Sequence, residues 1–406
     1  MAAHNANSYD ADVLVLGAGP CGAFLANLLG KRGLSCVVVE KRLDIPTASM
    51  AIGLMPPSLR RLDDLNLADR VVQEGCPVRR VCVLNEKAEL GALDLASLPP
   101  PFNFVLSVPQ GDVVRLLRDR LTEWPRARLV LGCEVRGVTQ DERGVTVHTR
   151  DLGSGTPGTL GARFAVACDG AHSPARGYLG LPFEGKHYAP SFVMGDFPDA
   201  TSWAGEARLV FTPTGSIESF PLPRGRRRWV VQAECETPDA AVIARRVKAV
   251  TGVLLDPGAA EGVTRFTPER RLSGGYFKGR VVLCGDAAHV MSPIGGQGMN
   301  TGLADAWHLA SVLCHLCATG ELPGPWLTQY ERCRRRAFGV AADRAARGMW
   351  LGTLKGPMAA ALRSLFIRDI LLGPFLRDRL APHFAMLTIP DEDPMGQRPP
   401  PHPSEP

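Results

Sequence analysis

Residues 11–22 read ADVLVLGAGPCG: an apolar run that stops at Gly17, then Gly19 and Gly22 before the helical-looking FLANLLGKRG. No other stretch constrains the fold as much, because G-x-G-x-x-G between a strand and a helix is how a parallel α/β domain receives a pyrophosphate. Gly17 permits the tight turn, Gly19 lets the backbone approach the phosphates, and Gly22 allows helix and strand to pack, with Pro20 and Cys21 completing the turn. Phosphates would then face the helix N-terminus, whose free N–H groups and dipole favour negative charge. A second strand is predicted over 35–40 and ends on Glu40, where a carboxylate can accept hydrogen bonds from ribose hydroxyls. The expected ligand is an adenine dinucleotide, and this stretch alone does not choose between a nicotinamide and a flavin. The same spacing recurs at Gly153, Gly155 and Gly158, between two strand-like segments and with no helix to follow, and there it reads as a hairpin loop.

Bulk properties exclude several classes. A chain of 406 residues, 45% hydrophobic and 21% charged, suffices for a large α/β unit with an inserted second domain. The net charge is +5, with no basic run interleaved with aromatics, so nucleic acid is not an expected partner. The densest basic run, Arg332, Arg334, Arg335 and Arg336, reads as a helix face that is solvated or packed against acids. The N-terminus lacks a basic region followed by an apolar core, and no window approaches about 18 uninterrupted apolar residues, so neither a signal peptide nor a transmembrane segment is expected. Eleven scattered cysteines read as reduced thiols in a cytoplasmic protein. The pair in Cys314-His315-Leu316-Cys317 reads as buried small hydrophobes, and no metal site is expected.

Beyond the βαβ opening, Leu59, Leu62, Leu65 and Leu67 recur at helical spacing, and 76–108 is strand-like and rich in proline. A helix is predicted over 112–122, with strands over 128–135 and 145–149. From 181 to 277 alternation in RLVFTP, SIESFPL and RRWVVQAEC indicates a separate sheet inserted in the nucleotide-binding unit, and a strand over 280–284 returns to it. Helical segments follow to 385, and the ending GQRPPPHPSEP is too polar and proline-rich to pack. The expected division is a cofactor unit of residues 1–75, 109–180 and 278–330, a substrate sheet of 76–108 and 181–277, C-terminal helices over 331–390 and a flexible tail over 391–406.

Residues 281–300, VVLCGDAAHVMSPIGGQGMN, supply a second half to the cofactor site. A hydrophobic strand delivers Gly285 and Asp286 to a loop that passes Pro293, Gly295 and Gly296 before a helix opens near Gly298, Met299 and Asn300. An acid at the strand end suits ribityl hydroxyls, glycines let the backbone lie against a flat ring, and a helix N-terminus stabilises the negative charge of a reduced flavin. A nicotinamide dehydrogenase needs no such second loop. The expected ligand is therefore FAD, held non-covalently, since no His or Cys attachment site is indicated.

Together, GAGPCG with Glu40 and the long GDAAHVMSPIGGQGMN stretch resemble the group A flavoprotein monooxygenases, the family of p-hydroxybenzoate hydroxylase and the ubiquinone-biosynthesis hydroxylases. The resemblance covers nearly the whole chain at motif level, the inserted sheet matching in position only. It implies an α/β fold: a Rossmann-like FAD-binding domain with an inserted β-sheet substrate domain and C-terminal helices. Residues 168–176, CDGAHSPAR, are similar to the family's DG motif, which implies that Asp169 and Gly170 meet FAD and that Arg176 holds the loop near the reductant's path. Further FAD contacts are implied for Lys41, Arg42, Gln110 and Val135. In one departure, many relatives carry an arginine where this chain has Met50, which bears on flavin movement and reductant gating and leaves the FAD expectation in place.

The chemistry implied by the resemblance is oxygen insertion. NADPH or NADH reduces FAD, O2 adds at flavin C4a, and the hydroperoxide gives one oxygen atom to an aromatic or other electron-rich substrate, with secondary metabolism as a fitting setting. A base that deprotonates a phenol would help; His187, Tyr188 and His289 are the candidates, and each reads equally as a solvated or structural residue. Phe192, Met194, Phe211, Phe220 and Trp229 suit a small aromatic or polyketide-like substrate, and they suit ordinary core packing as well. Two alternatives stay open: a flavoprotein reductase of prenyl double bonds, and a non-catalytic flavin-binding protein. The stretch SLFIRDILLGPFLRDRLAPHFAML reads as an amphipathic helix over the active site, or as a contact with a membrane surface or a lipophilic substrate. A monomer or homodimer is expected.

Overall fold

The computed structural model describes residues 9–46, 51–234 and 236–396; Met50 and residues 397–406 lie outside them. The first strand, Ala11–Leu16, is buried on both faces, as an uninterrupted VLVL run in a parallel sheet requires. It pairs in parallel with Pro157–Ala167 on one side and Cys36–Glu40 on the other. Val281–Leu283 lies outside the former and Ala127–Leu131 outside the latter, both also parallel. The register sets Leu16 beside Ala167 and Ala167 beside Leu283. Three loops, beginning at Gly17, Cys168 and Cys284, therefore leave one edge of the sheet side by side, where open α/β sheets bind their ligands. Helices Pro20–Lys31, Gln110–Leu121 and Gln297–Thr319 cover the sheet. Between the first two, buried Asn27 donates to Leu117 O at 2.8 Å and accepts from Trp124 Nε1 at 2.9 Å. The stretch at 153–158 is indeed a hairpin turn between Val145–Asp151 and Pro157–Ala167.

A second, seven-stranded sheet runs in the order Glu261–Phe266, Phe192–Pro198, Arg226–Gln232, Gly215–Leu222, Ala207–Thr212, Arg80–Asn85, Glu89–Asp94. All neighbours are antiparallel except Ala207–Thr212 with Arg80–Asn85, which joins the two stretches of sequence that feed the sheet. One face carries Val193, Phe197, Ile217, Trp229 and Val231 under a helix, Ala240–Thr251, that the strand-rich sequence pattern did not reveal. That helix is capped by Asp239, whose side chain accepts from Ala241 N, and it ends on Gly252 in the left-handed conformation. Alternation puts Phe192, Met194, Val230, Leu209, Phe211 and Phe220 on the opposite face, which meets the cofactor unit and the C-terminal helices.

The long helix Pro323–Thr353 packs along Gln297–Thr319. Beyond it the expected single amphipathic helix is instead broken into Pro357–Leu365, a π-helical turn Phe366–Leu371 and Arg377–Phe384, with Gly373 and Pro374 interrupting the backbone ladder. Of the arginine run, Arg334 is buried, whereas Arg335 pairs with Glu331 and Arg336 with Glu392. Asp391, where the expected tail begins, ion-pairs with Arg61 and bonds to His308 Nε2 at 2.8 Å. Among the described residues no helix is long and apolar enough to cross a membrane.

Trp229 is fully buried in the second sheet and meets Trp203 edge-on at 5.5 Å. Trp229→Ala should cost about 3–5 kcal/mol, read as a lowered denaturant midpoint, because the sheet and its helix cannot collapse into the vacated volume.

Candidate functional site

The three loops interlock through backbone and small side chains. Gly17 holds φ +102°, and a Cβ there would sit 2.5 Å from Cys168 O. A Cβ on Gly22 would lie 2.0 Å from Gly17 O, so any side chain at Gly22 would separate helix from strand. Gly19, the N-cap of Pro20–Lys31, is different: a Cβ there would meet nothing within 4 Å among the described residues, so its role is to leave the backbone open. Cys21 reaches the third loop, with its Sγ 2.7 Å from where a Cβ on Gly285 would stand and 2.5 Å from one on Gly302. Burial raises the Cys21 thiol well above its ordinary value, so it is a neutral wedge rather than a nucleophile.

Glu40 is fixed from both sides: its Oε2 accepts from Ala18 N and its Oε1 from Arg42 N, each at 2.9 Å. Arg118, on Gln110–Leu121, donates to Ala18 O at 3.1 and 3.2 Å and stands 4.0 Å from Glu40. Arg118 carries no signal in the sequence, since one arginine in an amphipathic helix looks like any other. Asp169 caps the following turn, accepting from Ala175 N at 3.1 Å, and burial raises its carboxyl against the lowering effect of those hydrogen bonds. Its Oδ1 is buried without a hydrogen-bond partner among the described residues. Arg176 donates to Ala171 O and Ala287 O at 2.9 Å each, so it bridges the second loop to the third, and its guanidinium lies 3.6 Å over the Phe183 ring.

The flavin-type loop ends on Gly295 and Gly296 at φ +85° and +66°, and the helix opens at Gln297. Asn300 clamps it: Nδ2 donates to Gly296 O at 2.7 Å and Gly53 O at 2.8 Å, while Oδ1 accepts from Met55 N at 2.9 Å. Met299 is buried, Pro293 and Gly298 lie in the turn and first helical residues, and Gln297 Oε1 is buried without a partner among the described residues. One turn further, Asp305 is fully buried and accepts from His289 Nε2 at 2.5 Å, Arg334 Nε at 2.7 Å and Gly285 N at 3.3 Å. Burial alone would raise this carboxyl; the charges of His289 and Arg334 outweigh it and hold Asp305 below the usual carboxylate range.

The three candidate bases do not converge. His289 is buried, bonded to Asp305 and stacked on Phe338 at 4.7 Å, a positioning role beneath the third loop. His187 is exposed on the strand Phe183–His187 beside Glu269 and Arg271, and Tyr188 follows it under Lys186. Lys41 and Arg42 are exposed, Asp286 is exposed beside Gly285, Gln110 opens its helix next to Ala51, and Val135 O accepts from Tyr178 OH at 3.4 Å. Gly170 stands in the left-handed conformation at φ +87°. The cysteines of the 314–317 pair are half-buried, and among the described residues no metal-holding cluster occurs. One acid was missed entirely: Glu218 is buried on the second sheet's inward face, in a stretch whose mixed alternation hid its direction.

These features fit an adenine dinucleotide with a flavin. Gly17, Gly19 and Gly22 form the cradle, Asp169 Oδ1 and Gln297 Oε1 are buried acceptors without a donor among the described residues, and the Gly295–Gly296 turn presents bare backbone. The fold and site thus define a flavin-type dinucleotide-binding protein with a separate apolar sheet. A family model described as "FAD binding domain" matches residues 10–345, and the chain belongs to this family, that of the group A flavoprotein monooxygenases. A 3-(3-hydroxy-phenyl)propionate/3-hydroxycinnamic acid hydroxylase of Klebsiella pneumoniae is 31% identical over 80% of this chain, which spans 60% of that protein's length. The structure resembles p-nitrophenol 4-monooxygenase from Pseudomonas putida (TM-score 0.83, 24% identity, 93% of this chain and 98% of that one). It also resembles anhydrotetracycline hydroxylase from Streptomyces rimosus (TM-score 0.77, 28% identity, 93% and 76%).

Gly22→Ala should displace the first helix from its strand, so that whatever protein is recovered is less stable, lacks yellow colour and fails to retain added FAD, measured by the denaturant midpoint and the flavin-to-protein absorbance ratio. Asp305→Asn should cost about 3–5 kcal/mol at neutral pH, because Arg334 is left buried with half its partner. Since the folded carboxyl is held low, its contribution is complete above the unfolded Asp value of about 3.9 and fades as pH falls below it. Denaturant midpoints of the two proteins should therefore converge in acid.

Proposed function

We propose that the protein is an FAD-dependent monooxygenase that consumes NADPH or NADH and O2 and places one oxygen atom on a small aromatic or polyketide-like substrate. The observation that carries this reading is the seating of Ile294, from the loop between Pro293 and Gly295, against Phe192, Met194 and Val230 of the inward sheet face. A flat ring laid on that face lies beside the loop that suits the isoalloxazine. FAD, when bound, supplies the oxygen activation; the chain's residues bind, orient and exclude water. Gly17, Gly19, Pro20, Cys21 and Gly22 would take the pyrophosphate, Glu40 and Arg118 the adenosine ribose region, Asp169, Gly170 and Asp286 the pyrophosphate and ribityl chain, and Gly295 to Asn300 the ring edge. Water exclusion is supported from behind by Met291, packed with Phe338, Ala341 and Ala342 of the long helix.

The reading extends to a cofactor unit and substrate sheet divided as the sequence suggests, working as a monomer or homodimer in the cytoplasm. The ten described cysteines are all free thiols, which suits a reducing compartment. Substrates named for the relatives, a hydroxyphenylpropionate, a nitrophenol and an anhydrotetracycline, share a phenolic ring and support the substrate class.

Oxidation of NADPH and NADH by the yellow holo-protein should be measured over a panel of phenols and polycyclic aromatics, with product masses. At least one compound should accelerate oxidation and gain one oxygen. Reductant consumption that no compound stimulates, or a product that gains two hydrogens instead, overturns the reading.

A further inference from the structure

We propose that Glu218 accepts the proton of a substrate's phenolic hydroxyl, and that it thereby selects ring compounds with a free hydroxyl over their ethers. The substrate class rests on the monooxygenase reading; the placement rests on geometry alone. Glu218 lies mid-strand in Gly215–Leu222, opposite Leu209 on one neighbouring strand and Val230 on the other. Three apolar clusters border this position and none includes it. Val230 belongs to the cluster seated on Ile294, Leu209 and Phe220 to that of Met55 and Met386, and Phe211 to that of Ile367 and Leu351. A carboxyl thus stands at the centre of the wall that faces the flavin-type loop.

No hydrogen bond or ion pair joins the Glu218 carboxyl to any described residue, and the residue is 9% exposed. The charged groups around it among the described residues are engaged elsewhere or face solvent. Along its own face the nearest are Arg228 and Asp196, which pair with each other at 2.6 and 2.8 Å. Arg208, on the adjoining strand, lies over Trp203 on the opposite face. On the long helix packed against this strand, Arg334 faces Asp305, Arg344 faces the carbonyls of His383 and Thr388, and Arg347 is exposed. Arg363 donates to the carbonyls of Gly352, Leu354 and Thr212. The strands Cys76–Val78 and Val105–Ser107 add only the Cys76 thiol.

An unpartnered acid in an apolar wall is a standing cost to the fold, and such costs concentrate where a ligand supplies the missing partner. Burial pushes the Glu218 carboxyl up to about 7, so both of its forms are populated near neutral pH, as a proton acceptor for a weakly acidic hydroxyl requires. In the transfer the substrate O–H bond breaks, the proton goes to the carboxylate, and the electron pair stays on the phenolate oxygen. Ring carbons ortho and para to it become more electron-rich, which is what attack on an electrophilic oxygen needs.

The test uses oxidised holo-protein with 2-naphthol and its methyl ether, 2-methoxynaphthalene, binding being followed through the flavin spectrum. Wild type should bind the naphthol at least about tenfold more tightly than the ether. The preference should grow as pH rises through neutrality, because only ionised Glu218 accepts the proton, and the bound naphthol should show naphtholate absorbance. Glu218→Gln should lose the pH dependence and the naphtholate band. Glu218→Leu should abolish the preference while melting at a higher temperature than wild type, since it removes a buried unpaired acid. Equal affinities in wild type, no naphthol binding, an unaltered preference in Glu218→Leu, or a lower melting temperature for that variant each overturn the proposal. The monooxygenase reading fails on a separate observation: phenols bound with this selectivity that gain no oxygen when NADPH is added.

Discussion

The carboxylate of Asp305 is the point through which the cofactor side of the molecule is held together. With no solvent access, it receives hydrogen bonds from the backbone of Gly285, from His289 and from Arg334, which lie on a loop, a short strand and the long helix. Each of those groups would be costly alone in an apolar interior, and together they satisfy one another. The helix that carries Asp305 is the one whose first turn presents Gly296 to Asn300, so the loop geometry and the buried charge network are one rigid body.

The two halves of the site are built on different physics. On the cofactor side, shape comes from backbone: left-handed glycines, close-packed turns and side chains such as Asn300 and Arg176 that bind carbonyls. Such a surface is complementary to phosphate, ribose and a flat ring, and it tolerates almost no change. The inward face of the second sheet is instead shaped by side chains, mostly apolar, with the Glu218 carboxyl unpaired among the described residues. On the reading proposed above, one cofactor machine would serve different rings by substitution on that face.

Much of the cofactor side was legible in the sequence because its chemistry is local. GAGPCG and GDAAHVMSPIGGQGMN each contain the strand end, the turn and the helix start in contiguous residues, and the α/β class with an inserted sheet and C-terminal helices follows from them. Pairings across distance were not legible. Asp305 and Arg334 sit on two helices, and neither helix announces that its charged residue points inward. Glu218 was hidden for a related reason: in SIESFPL both alternating sets mix polar and apolar residues, so only the register against Leu209 and Val230 reveals its side of the sheet. The sequence leaves His289 open between a base and a structural residue, because the acid that claims it lies sixteen residues on.

The parallel register that aligns Leu16, Ala167 and Leu283 has a consequence for how the molecule is made. In a nascent chain the first strand can pair early with Cys36–Glu40, but its other neighbour is Pro157–Ala167 and the strand beyond that is Val281–Leu283. Until Pro157–Ala167 is made, one apolar edge of the first strand has no mate, and long-range parallel pairing is slow and open to misassociation. The FAD-binding surface is incomplete until the loop after Cys284 has been made, so cofactor capture and protection of the unfinished sheet belong to the same stage of biogenesis.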